Sequence, residues 1–250
     1  MTWVVPCYNE AKRLDPAAIA TLVSDGSTQV LLVDDGSKDE TLKLLEQIAA
    51  DHPGRVEVLA LSPNAGKAEA VRRGLLQAAE TSDVVGYADA DFSTPPSELH
   101  RLNEAQRTRK AAVVIGSRVG LAGTRIQRKP ARHYLGRLFG TAASILLGTI
   151  IYDTQCGAKL FTVSPLLKAS LVEEFGSRWI FDVELLGRLL IGAAGLPGIR
   201  ADALVEIPLH EWRDVGGSKL GLKAMVEVPW HLLKTRRRLQ ELRDAATSLR

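Results

Sequence analysis

The chain has 250 residues, 46% apolar and 24% charged, and its 32 basic against 29 acidic side chains give a net charge of +3. That balance excludes a disordered chain and leaves no electrostatic footprint for nucleic acid, while the length suits one large α/β domain or one domain with a small appendage. The two cysteines, Cys7 and Cys156, match no metal or redox spacing, which favours a reducing, cytoplasmic setting. No signal peptide is read around Trp3, because Pro6 and polar residues follow at once. The longest uncharged run, residues 138–152, is 15 residues and is broken by Gly140 and Gly148. A spanning helix needs roughly 20, so no transmembrane helix is expected.

In chain order, residues 1–5 read as a strand stopped by Pro6, and 17–23 as a short helix. Residues 30–33 form a continuous apolar strand of the buried parallel kind. It ends at Asp34-Asp35-Gly36-Ser37, where Ser37 is placed to cap a helix carrying Leu42, Leu45 and Ile48. A strand over 56–61, a helix over 67–79 and a strand ending at Asp89 come next. A helix from Pro95 or Pro96 and a strand over 112–116 close the first half. The second half is less regular. A basic loop over 119–132 leads to a helix with Leu135, Leu138, Phe139, Ala142, Ile145 and Leu146. Then come a short strand before Phe161, a helix over 181–190, a strand over 203–207, a loop over 213–219 and a basic C-terminal helix.

Strand–helix alternation at this spacing implies right-handed crossovers and an open, mostly parallel sheet flanked by helices. Ligands of such sheets sit at the carboxyl ends of the strands. The polar clusters fall there: Pro6 to Glu10, Asp34-Asp35, and Asp89-Ala90-Asp91. On an extended backbone Asp89 and Asp91 point the same way, and two hard oxygen ligands with room for water suit Mg²⁺ or Mn²⁺ holding a substrate's phosphates. Neither a dinucleotide fingerprint nor a P-loop is present, so metal and basic side chains must hold any phosphate.

Val-Pro-x-Tyr-Asn-Glu (5–10), Val-Asp-Asp-Gly-Ser-x-Asp (33–39), Asn-x-Gly-Lys (64–67) and Asp-Ala-Asp (89–91) resemble the nucleotide-sugar half of family 2 glycosyltransferases of the GT-A fold. Gly-Ser-Arg (116–118), Asp-Thr-Gln-Cys-Gly-Ala-Lys-Leu-Phe (153–161), Arg-Trp-Ile-Phe-Asp-Val-Glu-Leu-Leu (178–186) and Gly-Ser-Lys-Leu (217–220) are similar to dolichyl-phosphate glucosyltransferases and bacterial polyprenyl-phosphate relatives. The Arg-x-x-Gly-x-Ser-Lys spacing at 213–219 also resembles dolichyl-phosphate mannose synthases. The resemblance implies a single GT-A domain over 1–220, with a nucleotide-sugar half (1–118) and an acceptor half (119–220), and a basic helix over 221–250.

It also implies an inverting, metal-dependent transfer of a hexose to a polyprenyl phosphate, with UDP-glucose favoured over GDP-mannose. Pro6, Tyr8 and Glu10 are expected near the nucleoside, Asp35 at base or ribose, and Lys67 beside base or phosphates. Asp89 and Asp91 are expected at ribose and metal, Asp91 the surer ligand of Mg²⁺ or Mn²⁺. Arg213 and Lys219 would add positive charge to the leaving diphosphate. Asp182 stands where the wider family has its base. A phosphate monoester is already largely dianionic at neutral pH, so for that acceptor Asp182 would instead orient a neighbour, and Arg118, Arg128 and Arg132 would grip the phosphate. A hydroxyl acceptor would need Asp182 as base; a nucleotide-sugar-binding protein without turnover is the remaining alternative. Asp34 and Asp39 read as turn and helix-end residues, Trp179 and Phe181 as core, His210 as structural, Cys156 as a small packed residue and Glu184 as a supporting or solvated polar group. The basic clusters at 125–132 and 234–238 suit an anionic lipid surface, and the same helices would serve equally for oligomerisation.

Overall fold

The computed structural model describes the backbone of residues 1–127, 130–215 and 222–248, and their side chains except at 130–135, 222–228 and 248. The first half is a regular alternation: β1 (Thr2–Cys7), α1 (Pro16–Val23), β2 (Gln29–Asp35), α2 (Thr41–Asp51), β3 (Val56–Leu61), α3 (Lys67–Ala78), β4 (Val84–Ala88), α4 (Pro96–Arg109) and β5 (Val113–Ser117). The second half adds β6 (Arg125–Gln127), α5 (Pro130–Leu147), β7 (Ala158–Thr162), α6 (Pro165–Val172), α7 (Phe181–Ile191), a hairpin of β8 (Gly192–Ala193) and β9 (Leu196–Pro197), β10 (Leu204–Pro208), β11 (Glu211–Arg213) and α8 (Leu222–Ser248).

The main sheet has seven strands in the order β10, β5, β7, β4, β1, β2, β3. All pairings are parallel except those of β7, which runs antiparallel between β4 and β5. A small parallel pair, β6 with β11, stands apart. Strand residues of alternating parity feed two cores. Val4, Val33, Tyr87, Ile115 and Phe161 pack under α3, α5, α6 and α7, while Trp3, Val5, Leu32, Val114 and Leu160 pack under α1, α2 and α4. Gly74 of α3 sits so close to the sheet that a Cβ would lie 2.4 Å from Val4 Cγ1 and 3.0 Å from Val33 Cγ2. Gly74→Ala is therefore expected to overpack the core and cost about 1–3 kcal/mol in urea unfolding, although alanine is the better helix former.

Two local expectations are corrected. Strand β1 does not stop at Pro6 but continues to Cys7 along β2. Its pairing with β4 ends at Val4, so at Pro6 only one side of the strand has a ladder, and a residue without an N–H is accommodated. Ser37 does not cap α2: the N-cap is Glu40, without a side-chain bond, and Ser37 Oγ accepts from Asn9 N. Asp39 accepts from Thr41 N at the start of α2, as a helix-end residue should. Helix α5 is apolar on more than one face: Ala143 and Leu147 are buried, but Leu138 is 71% and Ile145 78% exposed.

Candidate active site

The carboxyl ends of β1, β2 and β4 open on one crevice. The chain leaving β1 turns at Asn9, a non-glycine residue at φ 52°. This turn is fastened to α2, because Glu10 N and Ala11 N both donate to Thr41 Oγ1. A helical turn from Glu10 then places Arg13, whose backbone N donates to Glu10 O. The Arg13 guanidinium lies 3.4 Å from both Glu10 Oε2 and Asp91 Oδ2. Glu10 and Asp91, drawn from different strands, thus face the same place through Arg13.

Strand β4 ends at Ala88, and Phe92 N donates to Asp89 O. Asp89 and Asp91 therefore lie on a turn, not on the extended backbone expected for i and i+2, and Phe92 takes φ 44° to close it. The two carboxylates are aimed separately. Asp91 Oδ1 accepts from Ser93 N. Asp89 Oδ1 pairs with Lys67 Nζ, the first residue of α3. Its Oδ2 lies over Gly157, where a Cβ would come within 1.9 Å. Gly157→Ala must push the Asp89 side chain off Lys67, so donor affinity should fall about tenfold in a binding titration while the fold persists, since Asp89 stays open to solvent.

Lys67 is the electrostatic centre of the crevice. Burial works against its ammonium, but Asp89, Asp182 and Asp91 together hold its pKa above the ordinary lysine value. Two carboxylates from the turn after β4 and one from α7 thus act on one cation. Asp35 is the exception to the expected convergence. It is buried, and its carboxylate accepts from Ala65 N, Gly66 N and Asn64 Nδ2. Burial raises its pKa in spite of these bonds. Asp35 thus shapes the loop that starts α3 and presents Lys67. Asp34 accepts from Ser37 N, in keeping with a turn residue.

Asp182, second in α7, reaches the crevice from the opposite side. Its Oδ1 accepts from Tyr87 Oη and from Lys159 Nζ at 2.8 Å, and Oδ2 lies 3.4 Å from Gln155 Nε2. Burial pushes its carboxyl up to about 8 and pulls the Lys159 ammonium down to about 7. Arg213 ends β11, and its N donates to Ser93 O, which fixes this strand to the Asp91 turn. With Arg13, Asp91 and Pro96 it lines a pocket of roughly 610 Å³. Arg118 is forked onto Asp153 at 2.7 Å through both Nε and Nη2 and lies over Trp212. Asp153 raises its pKa beyond the ordinary guanidinium value against the effect of burial. Of the other basic candidates, Arg128 and Lys219 lie outside the described residues, and Arg132 belongs to α5 with its side chain outside them.

Pro6 and Tyr8 are half-buried at the end of β1. Phe181 is core, against Tyr87 and Phe175, whereas Trp179 is 40% exposed, contrary to the core expectation. Cys156 is buried and its thiol is pushed up to about 11 by that burial, an unreactive small packing group. His210 lines a separate surface groove with Glu98, Arg101 and Arg125. Among the described residues no group of three or more His, Cys, Asp or Glu gathers as a metal cage. The partly open Asp91 carboxylate fits an ion of the Mg²⁺ class, which commonly takes one or two carboxylates and completes its shell with phosphate and water, whereas Asp89 is tied to Lys67.

Four site residues were not assigned from sequence: Arg13, Gln155, Lys159 and Arg178. Arg13 could have been found from the helical turn after Glu10. Lys159 could have been found as a lone charge within the apolar strand run 158–161. Arg178 lies against Gly66, whose Cβ position is 3.0 Å from Arg178 Cδ, and its charge works to lower the pKa of Asp35. Only the fold brings it there.

A mostly parallel sheet with an acidic crevice at its carboxyl ends is the architecture of nucleotide-diphospho-sugar transferases. Residues 2–168 match the model of glycosyl transferase family 2, and the chain belongs to that family. It is 32% identical over 247 residues to the dolichyl-phosphate beta-glucosyltransferase ALG5C of Trichomonas vaginalis, covering 93% of this chain and 69% of the relative. Identity to the dolichyl-phosphate beta-glucosyltransferase of Saccharomyces cerevisiae is 32%, over 88% of this chain and 68% of that one. For the Homo sapiens enzyme of the same name it is 30%, over 94% and 78%. Among solved structures, S. aureus TarS 1-349 in complex with UDP-GlcNAc aligns at a TM-score of 0.53 and 16% identity, over 99% of this chain and 71% of that one. That likeness establishes the shared GT-A fold. The protein is a glycosyltransferase.

Proposed function

We propose that the enzyme transfers a hexose, with inversion, from a nucleotide-sugar to a polyprenyl or dolichyl phosphate, and that the donor is UDP-glucose. The observation that carries this reading is the meeting of Lys67 with Asp89, and of Glu10 with Asp91 through Arg13, at the exits of β1 and β4, in a chain about 30% identical to named dolichyl-phosphate beta-glucosyltransferases. In the reaction a lone pair of the acceptor phosphate oxygen forms a bond to the anomeric carbon. The bond from that carbon to the diphosphate breaks, its electron pair leaving on the nucleoside diphosphate, and no proton need move. Pro6, Tyr8 and Glu10 border the nucleoside, and Asp35 and Arg178 shape its far wall through the loop before Lys67. Asp91 would hold Mg²⁺ or Mn²⁺, which when bound neutralises charge developing on the leaving diphosphate. Arg213 and Lys219 add positive charge to that end, and Lys67 keeps the Asp89 carboxylate aimed. Arg118, Arg128 and Arg132 are assigned to the acceptor phosphate, Arg118 with its orientation set by Asp153.

Among the described residues no helix is long and apolar enough to cross a membrane. A lipid acceptor is met at a membrane surface. Exposed Leu138 and Ile145 of α5 and Trp230 and Leu233 of α8 support that arrangement, with Lys234 and Arg237 on the same stretch of α8 for anionic headgroups.

The test is donor turnover with Mn²⁺, with and without a short-chain polyprenyl phosphate. Release of UDP stimulated by the lipid phosphate supports the reading. Transfer only to a hydroxyl compound, or turnover with GDP-mannose in place of UDP-glucose, would overturn its acceptor or its donor respectively. Absence of all turnover would leave only donor binding.

A further inference from the structure

Strand β7 reverses direction in an otherwise parallel sheet, and its register sets Lys159 opposite Tyr87 of β4 and Ile115 of β5. The side chain is fully buried. Its Nζ meets three oxygens: Cys156 O at 2.6 Å, Asp182 Oδ1 at 2.8 Å and Tyr87 Oη at 2.9 Å. Those are as many acceptors as an ammonium has donors. The Tyr87 hydroxyl, held by Lys159, donates in turn to the same Asp182 oxygen. One oxygen of Asp182 is thus saturated from the sheet side, and the other lies towards Gln155.

We infer that Lys159 is a positioning residue that cancels the charge of Asp182 and withdraws it from general-base duty, so that the crevice takes a phosphate dianion as nucleophile and not a hydroxyl. The inference rests on the acceptor named above and gives it a physical cause. With one proton between them, Lys159 and Asp182 are neutral together, wherever that proton sits. Taking a second proton from an acceptor hydroxyl would bury a net positive charge, with Lys67 and Arg118 adding to it and Asp153 and Cys156 the acidic groups on the approach to β7. A phosphate dianion asks for no proton, but it would be repelled by an uncompensated Asp182.

The experiment compares wild type, Lys159→Met, Asp182→Asn and the double variant, each full length and checked for folding by circular dichroism. The acceptors are a short-chain polyprenyl phosphate and the corresponding polyprenol. Lys159→Met is expected to raise KM for the lipid phosphate about tenfold or more at alkaline pH, with KM for the donor unchanged. Burial pushes the Asp182 carboxyl up to about 8, and above that value it is bared as a carboxylate. Asp182→Asn should keep kcat within roughly tenfold and leave no base-type limb in the pH–rate profile. The double variant, with neither charge, should recover the wild-type KM for the lipid phosphate. If Lys159→Met does not fold, the double variant and Lys159→Arg, which keeps the positive charge, carry the comparison. A loss of roughly 10²–10⁴-fold in kcat for Asp182→Asn, whether or not Lys159 is present, would make Asp182 a base and overturn the inference. So would a folded Lys159→Met enzyme with an unchanged KM and pH profile. Wild type acting only on the polyprenol would instead overturn the proposed acceptor itself.

Discussion

Replacing Asp91 by alanine is expected to reduce kcat/KM by about 10³-fold, the scale on which a single group stabilising charge in a transition state is felt. Protein stability should hardly change. The side chain is partly open, it sits on a turn, and it accepts from Ser93 N and, at 3.4 Å, from Arg13. Losing them is worth about 1 kcal/mol, a few degrees in melting temperature. The contrast between a large kinetic and a small thermal effect separates a functional carboxylate from a structural one. Steady-state kinetics over a Mn²⁺ titration, alongside a thermal melt, measures both. Full turnover in Asp91→Ala would remove the basis for placing the diphosphate in this crevice.

The opposite contrast is expected at Glu184. Its carboxylate is wholly buried in α7 and holds Arg188 at 2.7 Å, Arg238 of α8 at 2.8 Å and the N–H of Gly176 at 2.8 Å. Arg188 also donates to the carbonyls of Ser170, Glu173 and Glu174. Glu184→Ala would leave the buried Arg188 charge without its carboxylate and the Gly176 N–H without an acceptor, while Arg238 keeps Glu174 O and Glu173. Removing one partner of such a buried pair costs about 3–5 kcal/mol. Urea unfolding should show this as a lower midpoint. The segment from Gly176 to Asp182 is anchored by the same carboxylate, so activity should fall as well. A midpoint within error of wild type would show that α8 is held by its apolar contacts, such as Leu239 over Gly187, and not by this network.

The first half of the fold was legible because each strand is a short apolar run followed by an amphipathic helix, and motif order placed Glu10, Lys67, Asp89 and Asp91 at strand exits. The periodicity of the second half is weaker. Helix α6 and the β8–β9 hairpin gave no signal, since Pro165-Leu-Leu and Gly192 to Pro197 are short and lack a polar face. The aim of the carboxylates was not legible either. Residues i and i+2 share a direction only on extended backbone, and the Asp89–Phe92 turn ends that condition one residue after the strand. The bonds of Asp35 to the loop at Asn64–Gly66 were hidden for a different reason, since that loop comes about 30 residues later in the chain. Trp179 was read as core because aromatic residues are usually buried, but Ser177 turns the chain at its N–H and leaves the indole outward. Lys159 was hidden by its company of apolar residues, and its partner Asp182 is contributed by a distant helix.

The reversed β7 strand also sets the order in which the polypeptide can be finished. β4 and β5, complete by Ser117, never touch in the main sheet; each waits for residues 158–162 to slide between them. A ribosome will have released residues 1–117 before the sheet can close, with β4 open on one side and β5 on both in the meantime. Fragments of this glycosyltransferase cut after Ser117 should accordingly be prone to associate edge to edge, and the chain should resist being divided there into separately folding pieces.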